Sequence, residues 1–206
     1  MSGSTVIRVV VVDDESLVAS SLSTLLSLED DLDVVATLGS GEEVVDWCRT
    51  HPSPAVDVVV TDLQMGGMDG IATAEALPDG VRVLIVTSHG RPRQLKRALA
   101  GGVLGFVPKT SSAEEFATAV RTVHAGRRYL DPELAAAAIG AGESPLTERE
   151  AQLLEVAGQG GSVEQIAATV HLAAGTTRNY LSSAMGKTGA STRFEAWRIA
   201  RERGWL

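Results

Sequence analysis

The feature that most constrains this chain is a hydrophobic period that switches back and forth across residues 6–124. Val6-Ile7-Arg8-Val9-Val10-Val11-Val12 is a β-branched run of the kind found in a strand buried on both faces of a parallel sheet. Beyond Asp13-Asp14-Glu15-Ser16, apolar Val18, Leu22, Leu25 and Leu26 recur at helical spacing. The switch then repeats, with strands expected over 32–38, 56–61, 81–87 and 105–108 and helices over 42–50, 71–76, 92–100 and 113–124. On the last helix Phe116, Val120 and Val123 share one face. Five strand–helix units in this order predict an α/β fold, doubly wound and flavodoxin-like, (βα)5.

In such sheets, sites gather at the carboxyl ends of the strands. Asp13-Asp14 stand at the first of these ends, Asp62 at the third, Thr87-Ser88 at the fourth and Pro108-Lys109 at the fifth. Three carboxylates a few ångströms apart repel by roughly 3 kcal/mol per pair at an effective dielectric of about 20. They persist together only with a cation among them or with shifted protonation. Hard oxygen donors with room for waters and a phosphate suit Mg²⁺. Lys109 adds a point charge for a phosphoryl oxygen, and the Thr87 hydroxyl can donate to another. The chemistry this supports is in-line phosphoryl transfer to a carboxylate. Taken singly, each residue has a plainer reading: Asp13-Asp14 as acids at a helix N-terminus, Asp62 as a strand-end turn residue, and Phe106, Met65, Trp47 and Cys48 as packing.

These residues resemble the receiver domain of bacterial response regulators. The resemblance rests on Asp13-Asp14, the Val-Val-Val-Thr-Asp62-Leu-Gln-Met segment, Met68-Asp69-Gly70, Thr87 and Gly105-Phe106-Val107-Pro108-Lys109. It implies Asp62 as the acceptor of a phosphoryl group from a sensor histidine kinase. It also implies Mg²⁺ held by Asp14, Asp62 and the Gln64 carbonyl, with Asp13 bound through water. Thr87 and Phe106 would be the switch pair, and Gln64 and His89 would flank the pocket mouth, where an exposed loop side chain is an equal reading of His89. The family usually has proline after the methionine, and this chain has Met65-Gly66; glycine is expected to leave that loop more mobile.

The last sixty or so residues change character. Their seven basic and seven acidic side chains cancel from Glu143 to Leu206, so the whole net charge of −8 lies before them. No acid stands between Gln165 and Phe194, where Arg178, Lys187 and Arg193 do, a pattern that suits nucleic acid. Asp131-Pro132 predicts a short helix over 134–139, followed by a flexible break at Gly140-Ala141-Gly142-Glu143-Ser144-Pro145. Thr147-x-x-Glu150 is a capping box for a helix over 151–157, and the glycines of 158–161 turn the chain. Ser162 with Gln165 caps a second helix over 163–170. A third runs over about 175–185, and Ser191 opens a fourth that ends at Gly204. The expected product is a smaller all-α, four-helix domain containing a helix-turn-helix.

This segment resembles the LuxR-type output domain of the NarL/FixJ regulators, through Leu146-Thr147-Glu148-Arg149-Glu150, Gln165-Ile166-Ala167, Thr176-Thr177-Arg178-Asn179-Tyr180, Lys187 and Thr192-Arg193. The Gly-Trp-Leu end and Leu28-Glu29-Asp30-Asp31 look most like the DesR-type subgroup. Arg178, Asn179, Ser182, Thr177 and Lys187 are the expected DNA-binding residues, with Lys187 and Arg193 serving through phosphates or packing. Gln165 replaces the usual glutamate and Ala174 the usual serine cap, while Gly186 and Thr188 stand where helix formers or leucine are common. A lost cap and a mid-helix glycine each cost about 1 kcal/mol, so a marginally stable domain is expected.

The expected organisation is a first domain over 1–128, a linker with a short helix over 129–144 and a second domain over 145–206. Cys48 is the only cysteine, which excludes an intrachain disulfide and suits a reducing cytoplasm. The opening Met-Ser-Gly-Ser-Thr does not read as a secretory leader, and the apolar run Val9 to Val12 is far too short to span a bilayer, so no membrane insertion is expected. The expected function is a response regulator, not an enzyme, that dimerises on phosphorylation and binds double-stranded promoter DNA as a homodimer. One near-neutral domain binds DNA weakly, and pairing two on half-sites roughly 34 Å apart multiplies affinity. The dimer face would be built from the first and fifth helices or from the fourth helix and fifth strand, and both stay open. Two other readings are an atypical, phosphorylation-independent regulator whose receiver binds a ligand or partner, and a phosphotransfer relay protein, against which the helix-turn-helix argues.

Overall fold

The computed structural model describes residues 6–51, 55–88, 90–140 and 144–206. The opening Met-Ser-Gly-Ser-Thr, His89 and the centre of the break at 140–145 lie outside the described residues. Two compact units make up the chain, with the main division between Pro132 and Glu133.

The first unit is a parallel sheet. Its strands are β1 (Ile7–Val12), β2 (Leu32–Leu38), β3 (Val58–Asp62), β4 (Arg82–Thr87), β5 (Gly105–Pro108) and β6 (Tyr129–Leu130), in the order β2-β1-β3-β4-β5-β6. The helices between them are α1 (Ser16–Leu26), α2 (Gly41–Thr50), α3 (Gly70–Ala76), α4 (Pro92–Ala100) and α5 (Ala113–His124). The first five strands follow the expected doubly wound order. The sixth corrects the sequence reading, which gave residues 129–144 to a linker. Tyr129 pairs with Gly105 and Leu130 with Phe106, anchored by Tyr129 N–H on the Leu104 carbonyl at 2.9 Å. Two residues are too few to carry a period, so only the exposed edge of β5 creates this strand.

The β-branched runs are buried on both faces because alternate residues feed two cores. Val9, Val11, Val58, Val60, Leu84, Val86 and Val107 pack on Leu22 and Leu26 of α1 and on Phe116, Val120 and Val123 of α5. Val10, Val12 and Val59 meet Val44 and Cys48 of α2, with Met65. On α1 the buried face is Ala19, Leu22 and Leu26; Leu25, counted among the inward residues by spacing, is exposed. Arg121 of α5 ties that helix to the turn before β2, with Nε donating to Asp31 at 2.8 Å and Nη2 to Glu29 at 2.6 Å.

A short helix, α6 (Pro132–Gly140), precedes the second unit's bundle of α7 (Glu148–Gly158), α8 (Val163–Thr169), α9 (Ala174–Thr188) and α10 (Arg193–Glu202). Thr147–Glu150 and Ser162–Gln165 form reciprocal capping boxes at the starts of α7 and α8. Several boundaries differ from the expectation by one to three residues. Gly158, read as the start of a turn, is the last residue of α7. α9 passes through Gly186 to Thr188 and stops on the left-handed Gly189. α10 is capped by Thr192, not Ser191. Leu153, Leu154, Ile166, Leu181, Ala184, Ala196 and Ala200 fill the core, which Trp205 and Leu206 close. Among the described residues no helix is long and apolar enough to cross a membrane.

Candidate functional site

Register brings four strand ends together. Val12 lies beside Thr61, Asp62 beside Val86 and Thr87 beside Pro108. The chain just past each strand is pinned to its neighbour: Asp13 N–H donates to the Leu38 carbonyl at 3.1 Å, Leu63 N–H to Val86 at 2.9 Å and Lys109 N–H to Thr87 at 2.8 Å. As a result, one carboxylate oxygen from each of Asp13, Asp14 and Asp62 lies within 4.8 Å of the other two. Lys109 Nζ stands between two of them, 2.8 Å from Asp13 Oδ2 and 3.2 Å from Asp62 Oδ2. Glu15, which the sequence reading did not single out, adds its Oε1 at 3.3 Å.

Burial divides the cluster. Asp13 and Asp62 are buried, whereas Asp14 and Glu15 are exposed, so solvent reaches the cluster from the Asp14 side. Burial pushes the Asp62 carboxyl above its ordinary range and the Asp13 charge adds to that, while Lys109 and the Gln64 N–H offset it only in part. Burial alone would lower the Lys109 pKa, but hydrogen bonding to Asp13 and the charge of Asp62 outweigh it and raise it, so the ammonium stays charged. With Glu15 counted, four carboxylates face one ammonium, an excess of negative charge that a divalent cation would largely offset. Thr87 and Phe106 are both buried on adjacent strands, with Phe106 beside Ile85, two residues before Thr87. Gln64 is exposed next to the pocket.

Two backbone contacts hold the loop after β3. Gly66 N–H donates to Asp14 Oδ2 at 3.0 Å, and Met68 N–H to Glu42 Oε1 at 3.0 Å. The expected loosening by glycine is thus offset by a hydrogen bond that proline could not make. The loop then enters α3 through the Asp69 cap and Gly70. A Cβ on Gly70 would sit 2.3 Å from the Asp62 carbonyl oxygen, so only glycine lets this helix start so close to Asp62.

On α9 the residues Arg178, Asn179 and Ser182 are exposed along one stripe, with the glycines 175 and 186 extending it. The chain matches the family model of the response regulator receiver domain over residues 9–121 and that of the bacterial regulatory proteins, luxR family, over residues 144–200. It is 35% identical to the transcriptional regulatory protein DesR of Bacillus subtilis (strain 168), over 97% of this chain and 99% of DesR. It is 39% identical to the response regulator RamR of Streptomyces coelicolor, over 97% of this chain and 98% of RamR. The chain belongs to the NarL/FixJ response regulators. A crystal structure of the response regulator ChrA, from a heme-sensing two-component system, is 31% identical and superposes with a TM-score of 0.58, covering 98% of this chain and all of that one.

Within this response regulator's LuxR-type domain the structure departs from the sequence reading at Thr177 and at the start of α9. Thr177, expected to face DNA, is fully buried on the core side of α9; it lies one position from the exposed Arg178, and a helix turns about 100° per residue. Lys187 is tied to the buried Glu150, whose carboxylate also accepts from Ser183 Oγ at 2.7 Å, in keeping with the packing half of its expected role. The N-cap of α9 is Ala173 with no side-chain cap, and Ala174 is already helical. The reading also missed Glu164, which stands 3.8 Å from Arg178; its place at the start of α8 gives no signal for that pairing. Glu15 could have been found as the third member of an acidic run, but nothing in the sequence marks Glu42.

Proposed function

We propose that this response regulator is phosphorylated on Asp62 by a sensor histidine kinase, and that phosphorylation promotes dimerisation and sequence-specific DNA binding to regulate transcription. The observation that carries this reading is the meeting of Asp13, Asp14 and Asp62 around Lys109 at the carboxyl edge of the sheet. The donors are hard oxygens with negative charge in excess of the one ammonium, which fits Mg²⁺. Asp14, Asp62 and the Gln64 carbonyl would hold the ion, with Asp13 acting through a water. When bound, Mg²⁺ supplies charge neutralisation on the phosphoryl oxygens.

The chain's own residues do the rest. An Asp62 carboxylate oxygen attacks phosphorus in line, the bond from phosphorus to the kinase imidazole nitrogen breaks, and that nitrogen keeps the electron pair. Lys109 and the Thr87 hydroxyl hold oxygens of the transferred group, and Thr87 acts with Phe106 as the switch. The receiver role falls to residues 1–128 with β6 added, and the DNA-binding role to 145–206, joined through 129–144. The luxR-family match and the exposed Arg178, Asn179 and Ser182 support DNA contact by α9, with the major groove as its seat. A reducing cytoplasm suits the unpaired Cys48.

The test is intact mass and molar mass of wild type and Asp62→Ala with acetyl phosphate or beryllofluoride and Mg²⁺. Phosphate uptake and a shift to a dimer in wild type alone support the reading. If wild type takes up no phosphate, the phosphorylation-independent alternative replaces it.

A further inference from the structure

We propose that Gly66 is a positioning residue for Mg²⁺, whose backbone N–H holds one oxygen of Asp14 so that the other is presented to the ion. The inference rests on the metal reading above and adds a residue to it. The hydrogen bond, Gly66 N to Asp14 Oδ2 at 3.0 Å, joins residues 52 apart in sequence. The other two carboxylates have stronger anchors. Asp13 is fixed by Lys109 at 2.8 Å and by Glu15 N–H at 2.9 Å, and Asp62 by Lys109 at 3.2 Å. Asp14 is the exposed member and sits on the solvent side, where a side chain without a restraint pays orientation entropy on binding an ion.

Nothing else about position 66 calls for glycine. Its backbone is not among the left-handed glycines, and a Cβ there would meet only Asp14 Oδ2, at 3.9 Å, which is ordinary contact. What the position uses is its N–H, which the proline usual in the family does not have. The loop bearing that N–H is itself braced two residues on, where Met68 N–H donates to Glu42 Oε1 at 3.0 Å. The donor is therefore held in place, and Asp14 takes its orientation from it.

The test is Mg²⁺ affinity of the full-length protein by isothermal titration calorimetry, comparing wild type with Gly66→Pro and Gly66→Ala. Losing a hydrogen bond to an exposed carboxylate should weaken Mg²⁺ binding about three- to tenfold in Gly66→Pro. Gly66→Ala keeps the N–H and should stay within about twofold of wild type. Equal affinity of the proline and alanine variants overturns the inference while leaving the metal reading intact, and a wild type that binds no Mg²⁺ overturns both. Should Gly66→Pro not fold, amide hydrogen exchange decides. The Gly66 N–H of the ion-free protein should exchange slowly and speed up in Asp14→Ala, and an unchanged rate overturns the inference.

Discussion

Lys187 Nζ lies 2.7 Å from Glu150 Oε2, joining the last turn of α9 to the first turn of α7. Glu150 is only 3% exposed, yet it stays ionised because the ammonium is not its only partner. It accepts from Thr147 N–H at 2.7 Å as the reciprocal half of a capping box, and from Ser183 Oγ at 2.7 Å. One carboxylate thus caps α7 and anchors the helix that carries Arg178, Asn179 and Ser182.

This pair gives the helical domain an acid-sensitive stability. Burial would raise the Glu150 pKa, but Lys187, Ser183 and Thr147 overcome it and bring the carboxyl down to about 2. A folded pKa below the unfolded value means stability present above the unfolded pKa, ordinarily 4.5, and lost as pH falls from there toward about 2. Glu150→Gln should remove that pH dependence and lower stability at neutral pH by about 1–3 kcal/mol. Urea unfolding at several pH values checks both effects, and an unchanged acid limb in the variant would count against the assignment.

The receiver should respond to pH in the opposite sense. Without Mg²⁺ the folded Asp62 pKa lies above its ordinary 3.8, so Asp62's contribution favours folding below 3.8 and is lost as pH rises through the folded value. Asp62→Asn removes a buried charge and its repulsion from Asp13, and should raise the Tm of the ion-free protein at pH 7 by roughly a few degrees. Added Mg²⁺ should raise the wild-type Tm and move the variant less. Calorimetric scans with and without Mg²⁺ read both shifts; a variant less stable than ion-free wild type contradicts the argument from burial and repulsion.

Thr177 separates a packing role from a DNA role. Its hydroxyl oxygen is buried without a hydrogen-bond partner among the described residues. Thr177→Val keeps the shape and removes the unpaired polar atom, so it should stabilise the domain by about 1 kcal/mol and leave DNA affinity unchanged. Denaturant midpoints with a fluorescence anisotropy titration decide, and a large loss of DNA binding by a stable Thr177→Val would restore the contact role.

Arg178 should behave differently. It is exposed on the outer face of α9 and its nearest acid is Glu164, at 3.8 Å. Arg178→Ala should weaken specific DNA binding by about 1–3 kcal/mol. Glu164→Gln removes a competitor for the same guanidinium and should tighten binding modestly at low salt and less at high salt. A salt titration of DNA affinity for both variants checks the pair; no change with Arg178→Ala would move the DNA contact to another face.

The Gly70 contact gives a stricter test of the site's backbone. A Cβ there would lie 2.3 Å from the Asp62 carbonyl oxygen, and backbone cannot step aside cheaply. Gly70→Ala should destabilise the receiver by about 2–4 kcal/mol and lower phosphate uptake by moving Asp62. Wild-type stability and uptake in this variant would show that α3 can shift without cost.

The sequence by itself determined the alternation of strands and helices, because a β-branched run buried on both faces and a 3.6-residue stripe are local patterns. It also determined the acidic residues at the strand ends, since the chain leaves each strand where its apolar run stops. The capping boxes at Thr147 and Ser162 were legible for the same reason: both partners lie within one helical turn. What only the tertiary structure decided depends on residues distant along the chain. β6 exists because β5 offers a free edge to two residues with no period of their own. Ala19 rather than Leu25 faces the core of α1 because inclusion in a face follows the angle of packing, not apolarity alone. Thr177 turns inward and Lys187 is drawn to Glu150 because α7 packs against α9. The grip of Gly66 on Asp14 spans 52 residues, and a backbone N–H carries no signature in the side-chain code. Composition and spacing specify which groups are available, but their hydrogen-bond partners are chosen only when folding brings the strand ends together.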